Sequence, residues 1–333
     1  MTPEDGSRFV QAVRASPVYA LAHETALQLA RGLSARLGAE IWLKREDQQV
    51  QFSFKVRGAC HAIAALPPAV RARGVVTASA GNHGQGVALA ARHFGVPATV
   101  VMPRRTPSIK VNAVRALGAE VRLEGTQFAD AAQVAMAMAR TTGATLVHPF
   151  DDRRVIEGQA TLAAEILRQH RGPLDTVVVP VGGGGLIAGL ATYLRFTRPE
   201  VRVVGVEPID SDAMWRALAA GRPVPVEQPG TFADGVAVRE AGAEPFKLTR
   251  AYAHGVVRVG TAEIRTAMRE IFEETRGIVE PAGALAVAGL RRLDPPRRSG
   301  AAVVAVLTGA NVDFRVLGDV AAHESRERDT MSA

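Results

Sequence analysis

The chain contains one cysteine, Cys60, in 333 residues. A single thiol excludes an internal disulfide and is the usage expected in a reducing cytoplasm. Aromatic residues make up 5%, and no basic run interleaves with them as a base-stacking surface would require. The net charge of +7 would suit nucleic acid, but the basic residues are scattered and alternate with acids, so no nucleic-acid partner is expected. The N-terminus, Met1-Thr-Pro-Glu-Asp-Gly-Ser-Arg8, lacks the apolar stretch of a secretory signal. No repeat with a period of about 20–50 residues is visible, and no low-complexity linker divides the chain. One long uncharged window, Thr176 to Leu194, is broken by Pro180 and four glycines. It reads as a buried strand followed by a buried helix, not as a membrane span.

Hydrophobic content of 47% with 22% charged residues is that of a soluble globular protein, long enough for two domains. Short apolar runs alternate with helical patterns. Strands are predicted at Glu40–Lys44, Gly74–Ala78, Ala98–Met102, Glu120–Leu123, Ala144–Val147, Thr176–Val181, Val201–Val206, Val256–Val259 and Ala302–Leu307. Between them helices are predicted at Gly84–His93, Ile109–Leu117, Phe128–Arg140, Ile156–Arg168, Leu186–Arg195, Ala262–Glu273 and Ala282–Leu290. Such alternation predicts an α/β fold with mainly parallel sheets, and the continuous β-branched runs suit strands covered on both faces. The segment Asp294 to Gly300 reads as a surface turn, and the tail 321–333, which loses apolar periodicity, as disordered.

Gly182, Gly183, Gly184 and Gly185 follow the apolar run ending at Val181 and precede the helical run from Leu186. Strand, glycine loop and helix together offer bare backbone N–H groups and a positive helix end to a phosphate. Four consecutive glycines carry an entropic cost that an ordinary turn does not need. The same stretch fits a dinucleotide fingerprint, Gly183-x-Gly185-x-x-Ala188, with Glu207 ending the next strand where a ribose-binding acid would sit. On that window alone an NAD enzyme remains open.

Lysine is scarce as well: four residues, Lys44, Lys55, Lys110 and Lys247, in a chain otherwise using arginine. An amine kept where guanidinium is the rule suggests chemistry that requires losing a proton. Lys55 has the most apolar setting, Phe52-Ser-Phe-Lys-Val, and desolvation favours the nucleophilic amine. A lysine snorkelling from a helix start fits the same residues. Further along, a strand enters the small-residue turn Ser79-Ala80-Gly81-Asn82-His83, ahead of a helix from Gly84. Successive N–H groups there would nest a second anion such as a carboxylate, with Asn82 as a side-chain donor.

Taken together, Ser53-Phe-Lys-x-Arg-Gly58, Ser79-Ala-Gly-Asn-His-Gly84, the glycine quartet, Glu280-Pro-Ala-Gly-Ala284 and Thr308-Gly-Ala-Asn311 resemble the pyridoxal-phosphate (PLP) enzymes of fold type II. Within these the chain is similar to the serine/threonine dehydratases, above all to the catalytic domain of threonine ammonia-lyase. The resemblance runs from Ser16-Pro-Val-Tyr19 to Asn311-Val-Asp-Phe314. An NAD enzyme would leave Lys55 and the Asn82-His83 loop without a purpose.

The resemblance implies a tryptophan-synthase-β-like architecture: two open, twisted, mainly parallel sheets flanked by helices, with pyridoxal 5'-phosphate between domains. Residues 1–67 and 150–320 would form the large domain and 68–149 a small mobile one. Lys55 would hold the cofactor as a Schiff base and act as the base at Cα. Phe54 would flank the ring, and Asn82 would bond its 3'-oxygen. Gly182, Gly183, Gly184, Gly185 and Leu186 would hold the phosphate, and Glu280 would lie near the ring. Thr308 would offer a hydroxyl to the pyridine nitrogen where relatives usually have serine. Ser79, Ala80, Gly81, Asn82 and His83 would receive the substrate carboxylate. A neutral hydroxyl makes the ring a shallow electron sink, so Cα–H cleavage should be coupled to loss of the β-substituent, favouring elimination over transamination.

The implied reaction is conversion of L-threonine, and of L-serine, to 2-oxobutanoate or pyruvate and ammonia. Dehydration or racemisation of another hydroxy amino acid is the alternative: serine, 3-hydroxyaspartate or a compatible-solute intermediate. Ala80 stands where related racemases carry the serine that works on the opposite face, which counts against a racemase. Relatives that use a divalent cation resemble this chain at Glu207, but their further acid is replaced by Ala213, leaving at most a weak cation site. The resemblance also implies a cytoplasmic homodimer or homotetramer acting on a small amino acid, without membrane or nucleic-acid partners. About twenty residues follow the Thr308 motif, so feedback through the C-terminal regulatory domain of the full-length threonine enzymes is not expected.

Overall fold

The computed structural model describes residues 1–294, 296 and 300–331. Ten strands among them form two sheets: β1 (Leu27–Leu29), β2 (Ile41–Arg45), β3 (Val75–Ala78), β4 (Ala98–Met102), β5 (Glu120–Leu123), β6 (Thr145–Leu146), β7 (Leu174–Pro180), β8 (Arg202–Pro208), β9 (Val256–Val259) and β10 (Ala302–Leu307). One sheet has the order β1-β2-β10-β7-β8-β9, parallel except for the antiparallel edge pair β1–β2. The other has the order β5-β4-β3-β6 and is parallel throughout.

The helices are α1 (Pro3–Arg14), α2 (Arg31–Leu37), α3 (Lys55–Ala64), α4 (Pro68–Arg71), α5 (Asn82–His93), α6 (Ser108–Ala116), α7 (Phe128–Thr142), α8 (Arg153–Gln169), α9 (Gly185–Thr197), α10 (Ala213–Ala220), α11 (Ala243–Tyr252), α12 (Thr261–Thr275), α13 (Pro281–Gly289) and α14 (Phe314–Met331). The two-residue alternation of a strand supplies both faces of the large sheet. Val177 and Val179 join a core with Ile156 of α8 and Ile187 of α9, while Val178 joins Leu285 of α13 and Ile271 of α12. Every residue of β7 is buried, which is why its sequence reads as an unbroken apolar run.

Around the small sheet, Val100 and Met102 pack with Ala88 of α5 and Val114 of α6, and Val76 and Val101 with Ala131 of α7. Helix α3 touches the layers of both sheets. Its Ala59, Cys60 and Ile63 share a core with Val75, Val87 and Val155. It crosses α8 so closely that a Cβ on Gly158 would lie 2.6 Å from the Arg57 carbonyl oxygen. Cys60 is buried there, and desolvation pushes its thiol up to about 12, leaving it inert at neutral pH.

Each predicted strand run meets a strand, although Ala144–Val147 shortens to the two residues of β6. The edge strand β1 carries no periodic signal in three residues. The window Thr176 to Leu194 contains most of β7 and most of α9, and no helix among the described residues is long and apolar enough to cross a membrane. Helix α14 runs to Met331, through most of the tail 321–333 that was expected to be disordered. The segment has no apolar stripe, but it is rich in Ala, Glu and Arg, which favour a helix by intrinsic propensity. Residues 332–333 and most of the turn expected at Asp294 to Gly300 lie outside the described residues.

Candidate active site

The chemistry-bearing residues gather where strands of both sheets end. β7 leads into the glycine loop, β3 into Ser79–His83, and β10 into Thr308, all carboxyl ends, where open parallel sheets bind ligands. Lys55 is the first residue of α3. Its position is set by backbone bonds to the end of β10: Phe54 N–H donates to Thr308 O (3.3 Å) and Ala310 N–H to Phe52 O (2.9 Å). The Lys55 Nζ donates to Pro149 O at 3.2 Å and lies 5.2 Å from the centre of the Phe54 ring. Burial pulls this amine down to about 8, against the attraction of Glu280.

The glycine loop lies beside the same wall. A Cβ on Gly183 would collide with the ring of Phe150, the residue after Pro149, and one on Gly182 would lie 3.0 Å from Val236 Cα. Gly184 has φ +94°, a conformation that L side chains rarely adopt. Among the described residues no acceptor takes the N–H groups from Gly182 to Ile187; the first helical bond here is Ala188 N–H to Gly184 O. These bare donors at the start of α9 form an anion cradle. The side chain of Leu186 is buried in the large-sheet core, so only its N–H can face the loop.

The Asn82 amide lies between the two sheets. Its Nδ2 donates to Glu280 Oε1 at 2.8 Å, and its Oδ1 accepts from Asn311 Nδ2 at 2.7 Å. Glu280 immediately precedes α13, and burial, helped by the nearby Asp234, pushes its carboxyl up to about 8. His83 is buried, with Nε2 3.0 Å from Val147 O and Nδ1 without a partner among the described residues. A carbonyl accepts only, so Nε2 carries the proton and Nδ1 is a bare acceptor. Burial and the neighbouring Lys55 pull this ring down to about 3. Thr308 is buried, and its hydroxyl donates a long 3.3 Å bond to Ala282 O.

Two details differ from the sequence reading of the Ser79–His83 loop. Helix α5 opens at Asn82, not at Gly84, with Gly81 as its cap. The nest is also narrower, because Ser79 N–H continues the β3–β4 ladder to Val101 O at 3.1 Å and Gly81 N–H turns to Ser79 Oγ at 3.3 Å. Among the described residues, the N–H groups of Ala80, Asn82 and His83 have no acceptor.

Glu207 does not join this site. Its carboxylate accepts from Met214 N–H (2.9 Å) and Trp215 N–H (2.8 Å), capping α10. The neighbouring Asp212 pairs with Arg216 and Arg258. Both Glu207 oxygens are thus committed to a helix end, which argues against a ribose or cation ligand there. No cluster of three or more His, Cys, Asp or Glu forms among the described residues.

A family model for "pyridoxal-phosphate dependent enzyme" matches residues 19–309. The chain belongs to this PLP-dependent family. The biosynthetic L-threonine dehydratase of Burkholderia multivorans is 48% identical over 312 residues, covering 92% of this chain and 61% of that protein. The chloroplastic threonine dehydratase of Arabidopsis thaliana is 47% identical over 93% of this chain and 52% of its own length. The chain thus spans between half and two thirds of these relatives. Among solved structures, a processed threonine deaminase isoform 2 from Solanum lycopersicum superimposes with a TM-score of 0.91 at 41% identity, covering 96% of this chain and 88% of that one. A maize serine racemase gives 0.88 at 29%, covering 97% and 98%. The architecture is that of PLP fold type II, and the family's cofactor is pyridoxal 5'-phosphate.

The residues fit that cofactor. An amine with a depressed pKa, a cradle of unbonded N–H groups for a phosphate, and an amide donor between them make the donor set that an aldehyde, a phosphate and a phenolic oxygen require. Sequence reasoning missed Phe150, which walls the glycine loop, and assigned no role to Asn311 within its motif. It also passed over Glu46 and Glu165, which grip Arg57 two residues beyond Lys55.

Proposed function

We propose that the protein is a PLP-dependent ammonia-lyase that eliminates water from L-threonine, and from L-serine, giving 2-oxobutanoate or pyruvate and ammonia. The observation that carries this reading is the Lys55 amine, held near pH 8 beside a glycine loop with bare N–H groups. Bound PLP supplies an electron sink for the pair released when Cα–H breaks. Lys55, neutral in a useful fraction near neutral pH, takes the Cα proton. The N–H groups of Ala80, Asn82 and His83 hold the substrate carboxylate, so that Cα–H points at Lys55. The β-hydroxyl departs as water, taking up one proton in place of the one Lys55 removed from Cα, and the released enamine hydrolyses to the 2-oxo acid and ammonia.

Residues 68–149 act in this reading as a small domain that carries the carboxylate loop and closes over the substrate, excluding water. Residues 1–67 and 150–320 form the large domain. The enzyme works in the cytoplasm as a homodimer or homotetramer. A metal at Glu207 has no part in it.

Borohydride treatment of the protein loaded with PLP should fix the cofactor on Lys55; a modified peptide at Lys44, Lys110 or Lys247 would sink the assignment. Steady-state assay against a panel of β-hydroxy amino acids should show 2-oxo acid from L-threonine above all. The likeness to a serine racemase supports a second reading, which Ala80 opposes by offering no group to the opposite face of the substrate. Chiral chromatography separates the two: abundant D-serine from L-serine would favour the racemase.

A further inference from the structure

Asn311 lies three residues beyond Thr308, where the chain leaves β10. One Nδ2 group serves two acceptors, Gln51 O at 2.8 Å and Asn82 Oδ1 at 2.7 Å. The Gln51 carbonyl accepts only, so it decides which end of the Asn311 amide faces it. The same NH2 then meets Asn82, whose oxygen must turn toward it. The Asn82 Nδ2 is left on the other side, donating to Glu280 Oε1 at 2.8 Å, its second N–H without an acceptor among the described residues. Reversing the Asn82 amide would set NH2 against NH2 at the Asn311 end, where neither group can accept. The relay Gln51–Asn311–Asn82–Glu280 therefore has one direction.

Its other end is equally constrained. Gln51 and Phe52 have φ of +59° and +53°, two consecutive left-handed residues with side chains, a costly bend that needs support. The bend delivers Ser53, Phe54 and Lys55. Asn311 holds its first carbonyl, and Ala310 N–H its second at 2.9 Å.

We infer that Asn311 is a positioning residue: it fixes the Asn82 amide with its donor toward the cofactor pocket and locks the same choice to the backbone that presents Lys55. The group Asn82 then recognises is an acceptor oxygen, such as the phenolic oxygen of PLP. The inference rests on PLP as the family's cofactor and not on threonine as substrate.

The test is a double-mutant cycle on the holoenzyme with Asn82→Ala and Asn311→Asp. Its readouts are the PLP dissociation constant and the absorption band of the bound cofactor as a function of pH. An aspartate at 311 cannot donate to either acceptor, so PLP affinity should fall about ten-fold, as for loss of one hydrogen bond to a charged group. The band should shift as it does in Asn82→Ala, and the double variant should bind PLP no worse than Asn82→Ala alone. Effects that multiply in full, or an Asn311→Asp enzyme with unchanged affinity and spectrum, overturn the inference. Should the aspartate prevent folding, Asn311→Ala removes the donors without adding charge and must show the same non-additivity. In the protein without PLP, Asn311→Ala should speed amide exchange across Phe52–Lys55 at least several-fold; unchanged exchange there also counts against the role. A wild-type chain that binds PLP but leaves threonine intact would refute the proposed reaction and not this one.

Discussion

Helix α3 separates two kinds of polar interior. Behind it, two cations and two carboxylates are sealed from solvent and fully engaged. Arg57 grips Glu46 at 2.7 Å and Glu165 at 2.6 Å, and Lys44 reaches Glu165 at 2.6 Å, Thr25 O at 2.7 Å and Gln169 at 2.9 Å. Burial still holds Lys44 below its ordinary pKa despite Glu165, yet the carboxylates hold Arg57 above its own and Arg57 holds Glu46 below. In front, at the N-terminus of the same helix, Lys55 finds only a carbonyl at 3.2 Å, Glu280 only amide donors, and His83 Nδ1 no partner among the described residues. There Lys55, Glu280 and His83 are all shifted toward their neutral forms. Paired charges stabilise one structure, whereas uncompensated ones keep protons movable, which is what acid–base work needs.

The sharpest way to break this contrast is to remove each buried lysine in turn. Lys55→Ala should lower turnover by at least ~10³-fold while leaving the melting temperature nearly unchanged. Arg57→Ala should instead destabilise by about 3–5 kcal/mol, because Glu46 is left buried without its cation, and Lys44→Ala by less, because Arg57 still holds Glu165. Calorimetry and turnover of the surviving folded fraction separate the two outcomes. A Lys55 variant that melts early, or a Lys44 variant that folds well but is inactive, would dissolve the distinction.

Next in size is Thr308, whose single long bond to Ala282 leaves room for another partner. Thr308→Ser should keep most activity, and Thr308→Ala should lose about 1–3 kcal/mol of transition-state stabilisation, read from kcat/KM. Equal activity in all three proteins would remove the hydroxyl from the mechanism.

Glu280 provides a pH test. Its carboxyl is raised from 4.5 to about 8, so between those values the folded protein keeps a proton that the unfolded chain has released. This contribution to stability is fully present below pH about 4.5 and is lost as pH rises toward 8. Measured without PLP, wild type minus Glu280→Gln should therefore fall across that window, a difference in which the opposite slope from His83 at lower pH cancels. A flat difference would mean that Glu280 is ionised throughout.

The smallest effect belongs to a partly exposed pair. Lys110 of α6 reaches Asp234 at 2.9 Å, joining the small-sheet side to a segment packed on the glycine loop. Breaking it with Lys110→Met should cost at most about 1 kcal/mol and raise KM a few-fold, with the difference vanishing at high salt. A large, salt-independent loss would place Lys110 in the chemistry instead.

Much of this site was legible because its units are local. The run from Asp175 through the glycines to the α9 helix, and the turn from Thr77 to the α5 helix, declare strand, loop and helix within some twenty residues, and five such motifs in order were enough to indicate the family. Reading failed where a residue's meaning depended on a distant partner. The spacing that put Glu207 where a ribose or cation ligand could sit said nothing of its partners: its oxygens cap a helix seven and eight residues on. Ser79 belonged to the anion nest by spacing, but its N–H bonds Val101 across the sheet.

By itself the sequence determined the α/β class, the bare glycine loop and the amine at Lys55, since periodicity, glycine freedom and side-chain chemistry travel with the residues. The tertiary structure alone decided which charges are quenched and which are left reactive. Arg57 meets Glu165 across 108 positions and Asn311 meets Gln51 across 260. Whether Lys44 or Lys55 keeps its proton depends on desolvation and on partners that only folding brings within hydrogen-bond distance.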